Sequence, residues 1–226
     1  MSAPLVRLPG MLLDHRLWSG LPPREGVLDL PLRGSTLDEA VEAVLAAAPP
    51  RFALAGLSLG GVVAMALVAR APERVRRLVL LGCNGRAPTR AQRDGWDVLE
   101  TRTRAGELTR ITPDTLWPGL VAASRRDDPV LAELVAAMAA DTGETAFLDQ
   151  LGVQRSRVDL RPGLASYPGP ATVVVGSADA LCSLEMHVEI ADALPAAELV
   201  VLPGVGHLAP LEAPDEVDAL LHPGGG

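Results

Sequence analysis

The sequence predicts an α/β fold: a mostly parallel sheet of about six strands, with helices on both faces and a helical insertion. Three observations predict it. Strands alternate with helices along most of the chain, several strands are unbroken apolar runs, and residues 86–167 contain helical patterns without a strand. The 226 residues, 48% of them hydrophobic, can bury the core of one such domain. We assign residues 1–85 and 168–222 to the core, 86–167 to a helical lid and 223–226 to a disordered tail.

Six short segments are predicted to be strands. Each is apolar and rich in branched side chains, and each is bounded by proline, glycine or polar residues. They are residues 4–8, 26–30, 52–55, 75–81, 172–175 and 198–202. Solid apolar runs such as TVVV at 172–175 are typical of strands that are buried on both faces.

The segments between the strands carry helix signals. Thr36 and Glu39 have the spacing of a capping box, in which side chains satisfy the free N–H groups of a first helical turn. Pro72 discourages a further turn and predicts the end of the helix that follows Ser58. The predicted helices cover residues 36–49, 59–71, 186–194 and 214–221, and another begins at Asp128-Pro129.

Charge and composition exclude several classes of partner. The net charge is −8 and no run is rich in Lys or Arg, so we expect no nucleic-acid partner. Residues 52–69 are uncharged, but glycines and Ser58 interrupt them, so a strand–turn–helix explains them better than a membrane span. The N-terminus lacks a signal-peptide pattern, and Cys83 and Cys182 need not pair. We therefore expect a cytoplasmic protein with no membrane partner. We also expect a monomer or a homodimer.

One serine stands in a motif that carries chemistry. Gly56-Leu57-Ser58-Leu59-Gly60 lies between a predicted strand and a predicted helix. Gly-x-Ser-x-Gly in that context is typical of a nucleophile elbow, where the serine occupies a strained turn and the small neighbours let two backbones pass closely. The helix N-terminus adds a positive partial charge near the hydroxyl. The alternative is that Ser58 only caps the helix.

A serine hydroxyl needs a base, and the base needs an orienting carboxylate. Of the four histidines, His207 lies in a glycine-bounded loop directly after the last predicted strand, on the side where the elbow opens. Asp179 follows the fifth strand in VVVGSADAL, whereas the stretch after the fourth strand, LGCN, offers no carboxylate. The sequence therefore predicts Ser58, Asp179 and His207 as a catalytic triad.

Four motifs together, LPGMLLDHRLW, GLSLGG, VVVGSADAL and PGVGHLAPLEAP, resemble the α/β-hydrolase fold superfamily over nearly the whole chain. The pattern is similar to lid-bearing bacterial esterase-like members, to enol-lactonases and to acyl-carrier methyl ester hydrolases. The resemblance implies a serine hydrolase that cleaves a small carboxylic ester through an acyl-enzyme. It also implies an oxyanion hole made by the backbone N–H groups of Met11 and Leu59. Pro9-Gly10 replaces the His-Gly of many relatives, and two usual leading strands are missing, so we expect a trimmed fold.

The substrate contacts are less specified. Leu57 and Leu208 flank the predicted triad and suggest an apolar acyl site, and Trp96 and Trp117 are candidates to line it from the lid. The two tryptophans fit equally well as packing anchors between lid helices. The lid pair Arg125-Arg126 could meet an anionic substrate, although a solvated surface pair is the simpler reading.

Other functions stay open at this point. The same triad serves the hydrolysis of a lactone or of a carbon–carbon bond next to a carbonyl, and a binding protein that kept the fold and lost catalysis is a different class of answer. No His or Cys cluster has metal-ligand spacing, so we predict no metal. No Gly-x-Gly-x-x-Gly follows the first strand and no phosphate loop is present, so we predict no cofactor.

Overall fold

A computed structural model describes residues 3–223, and in it six strands form a single parallel sheet. The strands are β1 (Leu5–Leu8), β2 (Val27–Asp29), β3 (Phe52–Leu57), β4 (Val75–Leu81), β5 (Ala171–Gly176) and β6 (Ala197–Leu202). Their order across the sheet is β2-β1-β3-β4-β5-β6. This confirms the predicted fold class and all six strands, with boundaries shifted by two residues or fewer. The tail predicted at residues 223–226 lies outside the described residues except for Pro223.

Ten α-helical segments connect or cover the strands of the described chain. They are α1 (Leu37–Ala47), α2 (Leu59–Arg70), α3 (Arg90–Arg104), α4 (Leu108–Ile111), α5 (Trp117–Leu120), α6 (Pro129–Ser156), α7 (Arg161–Leu164), α8 (Leu184–Ala193), α9 (Ala209–Glu212) and α10 (Pro214–Leu221). α1 begins where the sequence predicts, because the Thr36 side chain accepts a hydrogen bond from the Glu39 N–H. None of the helices in residues 3–223 has the length and apolar character needed to cross a bilayer.

Alternation along the strands divides the core between the two faces of the sheet. On β4, Leu78 and Leu80 belong to one buried cluster, whereas Val79 and Leu81 belong to another. The first cluster lies under α1, α2, α7 and α8, and the second includes residues of α9 and α10. Successive strand residues point to opposite faces, so an unbroken apolar strand supplies both clusters at once. This is the reason that the strands could be recognised from solid apolar runs.

The segment between β4 and β5 is helical, as predicted, and consists of α3 to α7 with a π-helical turn at Thr112–Leu116. Within α6 the helix is interrupted at Gly143, whose φ of 76° and ψ of 164° lie outside the helical region. A third buried cluster joins this insertion to the loop after β1 through Leu12, Trp96 and Phe147. The insertion therefore packs directly on a loop at the carboxyl edge of the sheet.

Candidate active site

The parallel sheet brings the predicted site residues to one edge. Every strand runs in the same direction, so the loops that follow β1, β3, β5 and β6 all emerge at the carboxyl edge. Those loops carry Met11, Ser58, Asp179 and His207 respectively. The strand order reverses between β1 and β3, because the chain goes from β1 to its outer neighbour β2 and then returns to the other side. A crevice at such a reversal is the usual binding position in open α/β sheets.

Ser58 has the geometry of an elbow rather than of a simple helix cap. Its φ of 53° and ψ of −113° are strained for a residue with a side chain, and its side chain makes no capping hydrogen bond to α2. Ser58 and Leu12 are the only non-glycine residues with positive φ in the described chain. Because the side chain makes no capping bond, the reading of Ser58 as only an N-cap does not fit.

The glycines on either side of Ser58 are required by the packing of backbones. A Cβ atom placed on Gly56 would overlap the carbonyl group of Gly60, and one placed on Gly60 would overlap the carbonyl oxygens of Leu8 and Pro9. Strand β3, helix α2 and the end of β1 thus approach too closely for any side chain at these two positions. The Gly-x-Ser-x-Gly spacing therefore has a physical cause in this fold.

Asp179 and His207 form a buried hydrogen-bonded pair. The Nδ1 atom of His207 lies 2.9 Å from Oδ2 of Asp179, and both side chains are almost completely buried. The other carboxylate oxygen of Asp179 accepts hydrogen bonds from the N–H groups of Leu181, at 2.8 Å, and Cys182, at 2.9 Å. Burial by itself raises the pKa of Asp179. The hydrogen bond and charge of His207, with those two N–H groups, outweigh burial and leave the pKa of Asp179 below its ordinary value.

Ser58 and His207 approach the same point of the sheet edge without a hydrogen bond between them. The Ser58 N–H donates to the carbonyl oxygen of Leu81 at 2.9 Å. A Cβ atom on the next residue, Gly82, would lie 3.1 Å from Nδ1 of His207. The hydroxyl of Ser58 has no hydrogen-bond partner within residues 3–223, so its contact with His207 stays a prediction. Catalytic hydrogen bonds are commonly long before substrate binds and shorten in the complex.

The two N–H groups predicted for the oxyanion hole are free of protein acceptors. Neither Met11 nor Leu59 donates its backbone N–H to an acceptor among residues 3–223. For Leu59 this follows from its place as the first residue of α2, since the first N–H groups of a helix have no partner within it. A Cβ atom on Gly10 would lie 3.3 Å from the Cβ of Ser58, so the Met11 loop borders the serine. The role of both groups in binding an oxyanion remains a prediction.

The predicted substrate-lining residues occupy different environments. Leu57 and Leu208 have no exposed surface and belong to the buried cluster that includes α9 and α10. Trp96 is buried within the insertion cluster, as expected of a packing anchor, and Trp117 is partly exposed, with its Nε1 donating to the carbonyl of Arg126. A role for these four residues in substrate binding stays a prediction. Of the lid arginine pair, Arg125 pairs with Asp128 at 2.9 Å and Arg126 is exposed.

Several supporting contacts around His207 and Cys83 are not predictable from the sequence motifs. The carboxylate of Glu212 accepts hydrogen bonds from the N–H groups of Gly206 and Leu208, on either side of His207. The buried His187 accepts the Cys83 N–H at its Nε2 atom, and burial lowers the pKa of His187. The sequence does contain a hint of the Glu212 contact, because this carboxylate is only five residues after His207. His187 gave no such hint, because its partner is distant in the chain.

Three potential metal ligands meet at the same place. The ligand atoms of Asp179, Cys182 and His207 lie within 4.8 Å of one another, which the sequence spacing did not predict. Both oxygens of Asp179 are already engaged in hydrogen bonds. Burial, followed by the charge of Asp179, raises the pKa of the Cys182 thiol well above its ordinary value, so the metal-binding thiolate is disfavoured. The donor set fits an orienting acid–base pair better than a metal centre.

One well-formed cavity is remote from these residues. It has a volume of about 620 Å³ and is lined at the amino edge of the sheet by residues that include Leu5, Val27, Ala53, Arg77 and His222. Those strand residues lie at the start of their strands, whereas Ser58 and its neighbours follow the strand ends. The cavity is therefore separate from the candidate active site.

Comparison with known proteins agrees with the fold. A family model described as the alpha/beta hydrolase family matches residues 5–220. A pimeloyl-[acyl-carrier protein] methyl ester esterase of Xanthomonas campestris pv. campestris is 31% identical over 216 residues, which cover 87% of this chain and 82% of that protein.

Two solved structures have nearly the same backbone. A thermophilic esterase from Thermogutta terrifontis, with malate bound, superposes with a TM-score of 0.89 at 23% identity and covers 98% of this chain and 88% of that one. The enol-lactonase from Burkholderia xenovorans LB400 gives a TM-score of 0.84 at 21% identity, covering 98% and 90% of the two chains.

Proposed function

The chain belongs to the alpha/beta hydrolase family, and from that premise we propose that it is a serine hydrolase that cleaves a small carboxylic ester through an acyl-enzyme. One observation carries the proposal. Ser58 has a strained backbone and a side chain that does not cap α2, and it lies at the same sheet edge as the buried Asp179–His207 pair. A strained backbone and a desolvated acid–base pair both lower the stability of the fold, and such features are concentrated at functional sites. The methyl ester esterase relatives support an ester as the substrate.

Each member of the triad has a defined part in the reaction. His207 removes the proton from the Ser58 hydroxyl as the oxygen attacks the ester carbonyl carbon, and then gives that proton to the leaving alcohol. Asp179 accepts the Nδ1 hydrogen of His207, which leaves Nε2 free to act as the base and stabilises the imidazolium. A water molecule, activated by His207 in the same way, attacks the acyl-enzyme and releases the carboxylic acid and Ser58.

The tetrahedral intermediate places a negative charge on the former carbonyl oxygen. The unpartnered N–H groups of Met11 and Leu59 are suited to receive it, and the positive end of α2 adds to the stabilisation. Because these donors belong to the backbone, the Pro9-Gly10 sequence does not alter the chemistry of the hole. The loss of one such donor typically raises the barrier by roughly 3 kcal/mol.

The proposal is tested with p-nitrophenyl esters of increasing acyl length and a fluorophosphonate probe. We expect the wild-type protein to hydrolyse the short esters and to be labelled at Ser58, as located by mass spectrometry of the labelled peptide. We expect Ser58→Ala to keep its circular dichroism spectrum and to lose both labelling and on the order of 10⁴-fold or more of its turnover. Ser124→Ala, at an exposed serine of the insertion, is the matched control and should behave as wild type.

The other outcomes separate the alternative functions. Lactone turnover that depends on Ser58, without ester turnover, would identify a lactonase that uses the same triad. A folded wild-type protein that is neither labelled nor active on any of these substrates would favour a binding protein. Full turnover by Ser58→Ala would show that the assignment of the nucleophile is wrong.

A further inference from the structure

Arg157 is the only buried arginine in the described chain. It follows the last residue of α6, retains 5% of its surface exposed, and lies where the insertion returns to the core. Its Nε and Nη2 atoms are fully buried and have no hydrogen-bond partner within residues 3–223. The other arginines without an acidic partner are exposed or donate to carbonyl groups, as Arg74 and Arg77 do.

The surroundings of Arg157 supply no compensating charge. Arginine remains protonated in proteins, and an isolated buried cation is strongly unfavourable. Burial lowers the pKa of the Arg157 guanidinium, the thiols of Cys182 and Cys83 act in the opposite direction, and the positive charge of Arg93 lowers it further. No carboxylate lies within ion-pair distance of Arg157 or Arg93 in residues 3–223. Arg157 therefore carries a buried positive charge without a carboxylate partner in residues 3–223, whereas Arg93 is exposed and donates to the carbonyl of Arg155 at 3.0 Å.

This charge lies near the candidate active site. Cys83 is the second residue after the end of β4, and the ligand atom of Cys182 lies within 4.8 Å of those of Asp179 and His207. Three residues beyond Arg157, the N–H of Leu160 donates to the carbonyl of Gly85 at 2.8 Å, which fixes the chain at the end of β4. The positive charge of Arg157 opposes the rise that burial causes in the pKa of the Cys83 and Cys182 thiols, which puts the guanidinium in the neighbourhood of the segments that follow β4 and β5.

One neighbour could satisfy part of the guanidinium. The Oε1 atom of Gln154, one helical turn earlier, is also buried and without a partner. A side-chain rotation that joined Gln154 to Arg157 would satisfy one N–H, but an amide carries no charge and would leave the cation uncompensated. A planar oxyanion, in contrast, matches the paired N–H groups of a guanidinium and also neutralises the charge.

We propose that Arg157 binds an oxyanion group, a carboxylate or a phosphate, near the segments that follow β4 and β5, and that the ester substrate carries this group. The assignment of this group to the ester substrate rests on the proposed function, whereas anion binding by Arg157 does not. The substrate class is accordingly an ester whose acyl or alcohol part ends in an anion rather than in an apolar chain.

Anion binding is tested first, without any turnover. The melting temperatures of the wild-type protein and of Arg157→Gln are measured with and without succinate or inorganic phosphate, at constant ionic strength. Arg90→Gln is the control, because it removes the same charge from an exposed side chain. We expect saturable stabilisation of the wild type and of Arg90→Gln by at least one anion, and little stabilisation of Arg157→Gln. The stronger anion identifies carboxylate or phosphate as the group. Equal stabilisation of all three proteins, or of none, overturns the proposal.

Further variants keep the test decisive. If Arg157→Gln fails to fold, Arg157→Lys keeps the charge without the planar pair of donors and should bind the anion about tenfold or more weakly. Gln154→Leu removes the neighbouring amide and should leave anion binding unchanged. Loss of anion binding in Gln154→Leu together with normal binding in Arg157→Lys would contradict the assignment.

Turnover then tests the substrate class. Monomethyl esters of C4 to C8 dicarboxylic acids are compared with the corresponding neutral dimethyl esters. We expect Arg157→Gln to reduce kcat/KM for the anionic esters by roughly 10- to 100-fold and to change that for the neutral esters by no more than about twofold. Equal losses on both series overturn the substrate assignment. A wild-type protein that binds anions but hydrolyses neither series nor the p-nitrophenyl esters refutes the proposed function and leaves the anion site in place. Turnover of p-nitrophenyl esters without turnover of either methyl ester series overturns the substrate assignment alone.

Discussion

Glu212 holds the loop of the proposed catalytic base. One of its carboxylate oxygens accepts the N–H groups of Gly206, at 3.0 Å, and Ala122, at 2.9 Å, and the other accepts that of Leu208, at 3.1 Å. Three donors on one carboxylate fix its position, and two of them flank His207 in sequence. The third, Ala122, belongs to the insertion. A single side chain therefore ties the base, its loop and the insertion together.

We predict that Glu212→Gln weakens this loop without removing a reacting group. A glutamine amide offers one acceptor instead of two, so at least one buried N–H loses its partner at a cost of about 1–3 kcal/mol. The free energy of unfolding, measured by urea denaturation, should fall by that amount, and kcat/KM for the best p-nitrophenyl ester should fall about tenfold.

Glu216→Gln, at an exposed position of α10, is the matched control and should change neither quantity. Wild-type stability together with wild-type turnover in Glu212→Gln would show that the carboxylate does not position the His207 loop.

At the residue scale, the sequence locates the groups that follow strand ends. The placement of Ser58, Asp179 and His207 at one edge follows from parallel strands, and the Asp179–His207 hydrogen bond agrees with it. The free charge of Arg157 could not be predicted in this way. Whether an arginine lacks a partner depends on every side chain packed around it, and these come from remote parts of the chain.

The longest helix of the insertion reaches the proposed oxyanion loop. Gln150 of α6 is buried, and its Oε1 atom accepts the backbone N–H of Leu12 at 2.9 Å. Leu12 adopts a φ of 58°, which is unfavourable for a branched side chain, so an external contact is needed to hold this turn. Leu12 follows Met11 directly, and the direction of the Met11 N–H depends on the same turn. Helix α6 therefore helps to set the geometry of the proposed oxyanion hole.

We predict that Gln150→Met lowers kcat more than it changes KM. Methionine has a similar size but leaves the Leu12 N–H without an acceptor, and the freed turn misplaces the Met11 donor in the transition state. The expected loss in kcat is about 10- to 100-fold, measured with p-nitrophenyl esters. Gln150→Glu retains an acceptor oxygen and should recover most of the loss, which a general packing defect would not do.

Glu144→Gln changes an exposed residue of the same helix and serves as the control. A rise in KM with constant kcat in Gln150→Met would instead place Gln150 in substrate binding and contradict the positioning role.

At the element scale, the strands were easier to predict than the insertion. A central parallel strand is apolar on both faces, so its composition alone identifies it, and the six strands appear where they were expected. The insertion combines short helices, a π-helical turn and a long helix broken at Gly143. Local caps set the starts of its two longest helices, at Thr89 and at the predicted Asp128, whereas its short helices carry no side-chain cap and depend on contacts with the core.

Residues of the insertion share buried clusters with both faces of the sheet. Leu131, Val135 and Met138 of α6 are buried in the same cluster as Leu81 of β4, and Val153 and Leu164 belong to the cluster on the other face of the sheet. Removal of the insertion would expose both clusters of the core. The predicted division of the chain into core and lid stays a prediction, and the shared clusters show that the two parts are in extensive contact.

We predict that core and insertion unfold in a single transition. Trp18 lies in the core, whereas Trp96 and Trp117 lie in the insertion, so Trp18→Phe reports fluorescence from the insertion alone and the Trp96→Phe/Trp117→Phe variant reports from the core alone. For each variant, the urea midpoint and m-value from fluorescence are compared with those from circular dichroism of the same protein. Any stability change caused by the substitution then cancels. Because the two regions share buried clusters, the fluorescence and circular dichroism curves of each variant should coincide. If the fluorescence of the insertion changes at a lower urea midpoint than the circular dichroism of the same variant, the insertion unfolds separately. The shared clusters would then contribute little to holding it against the core.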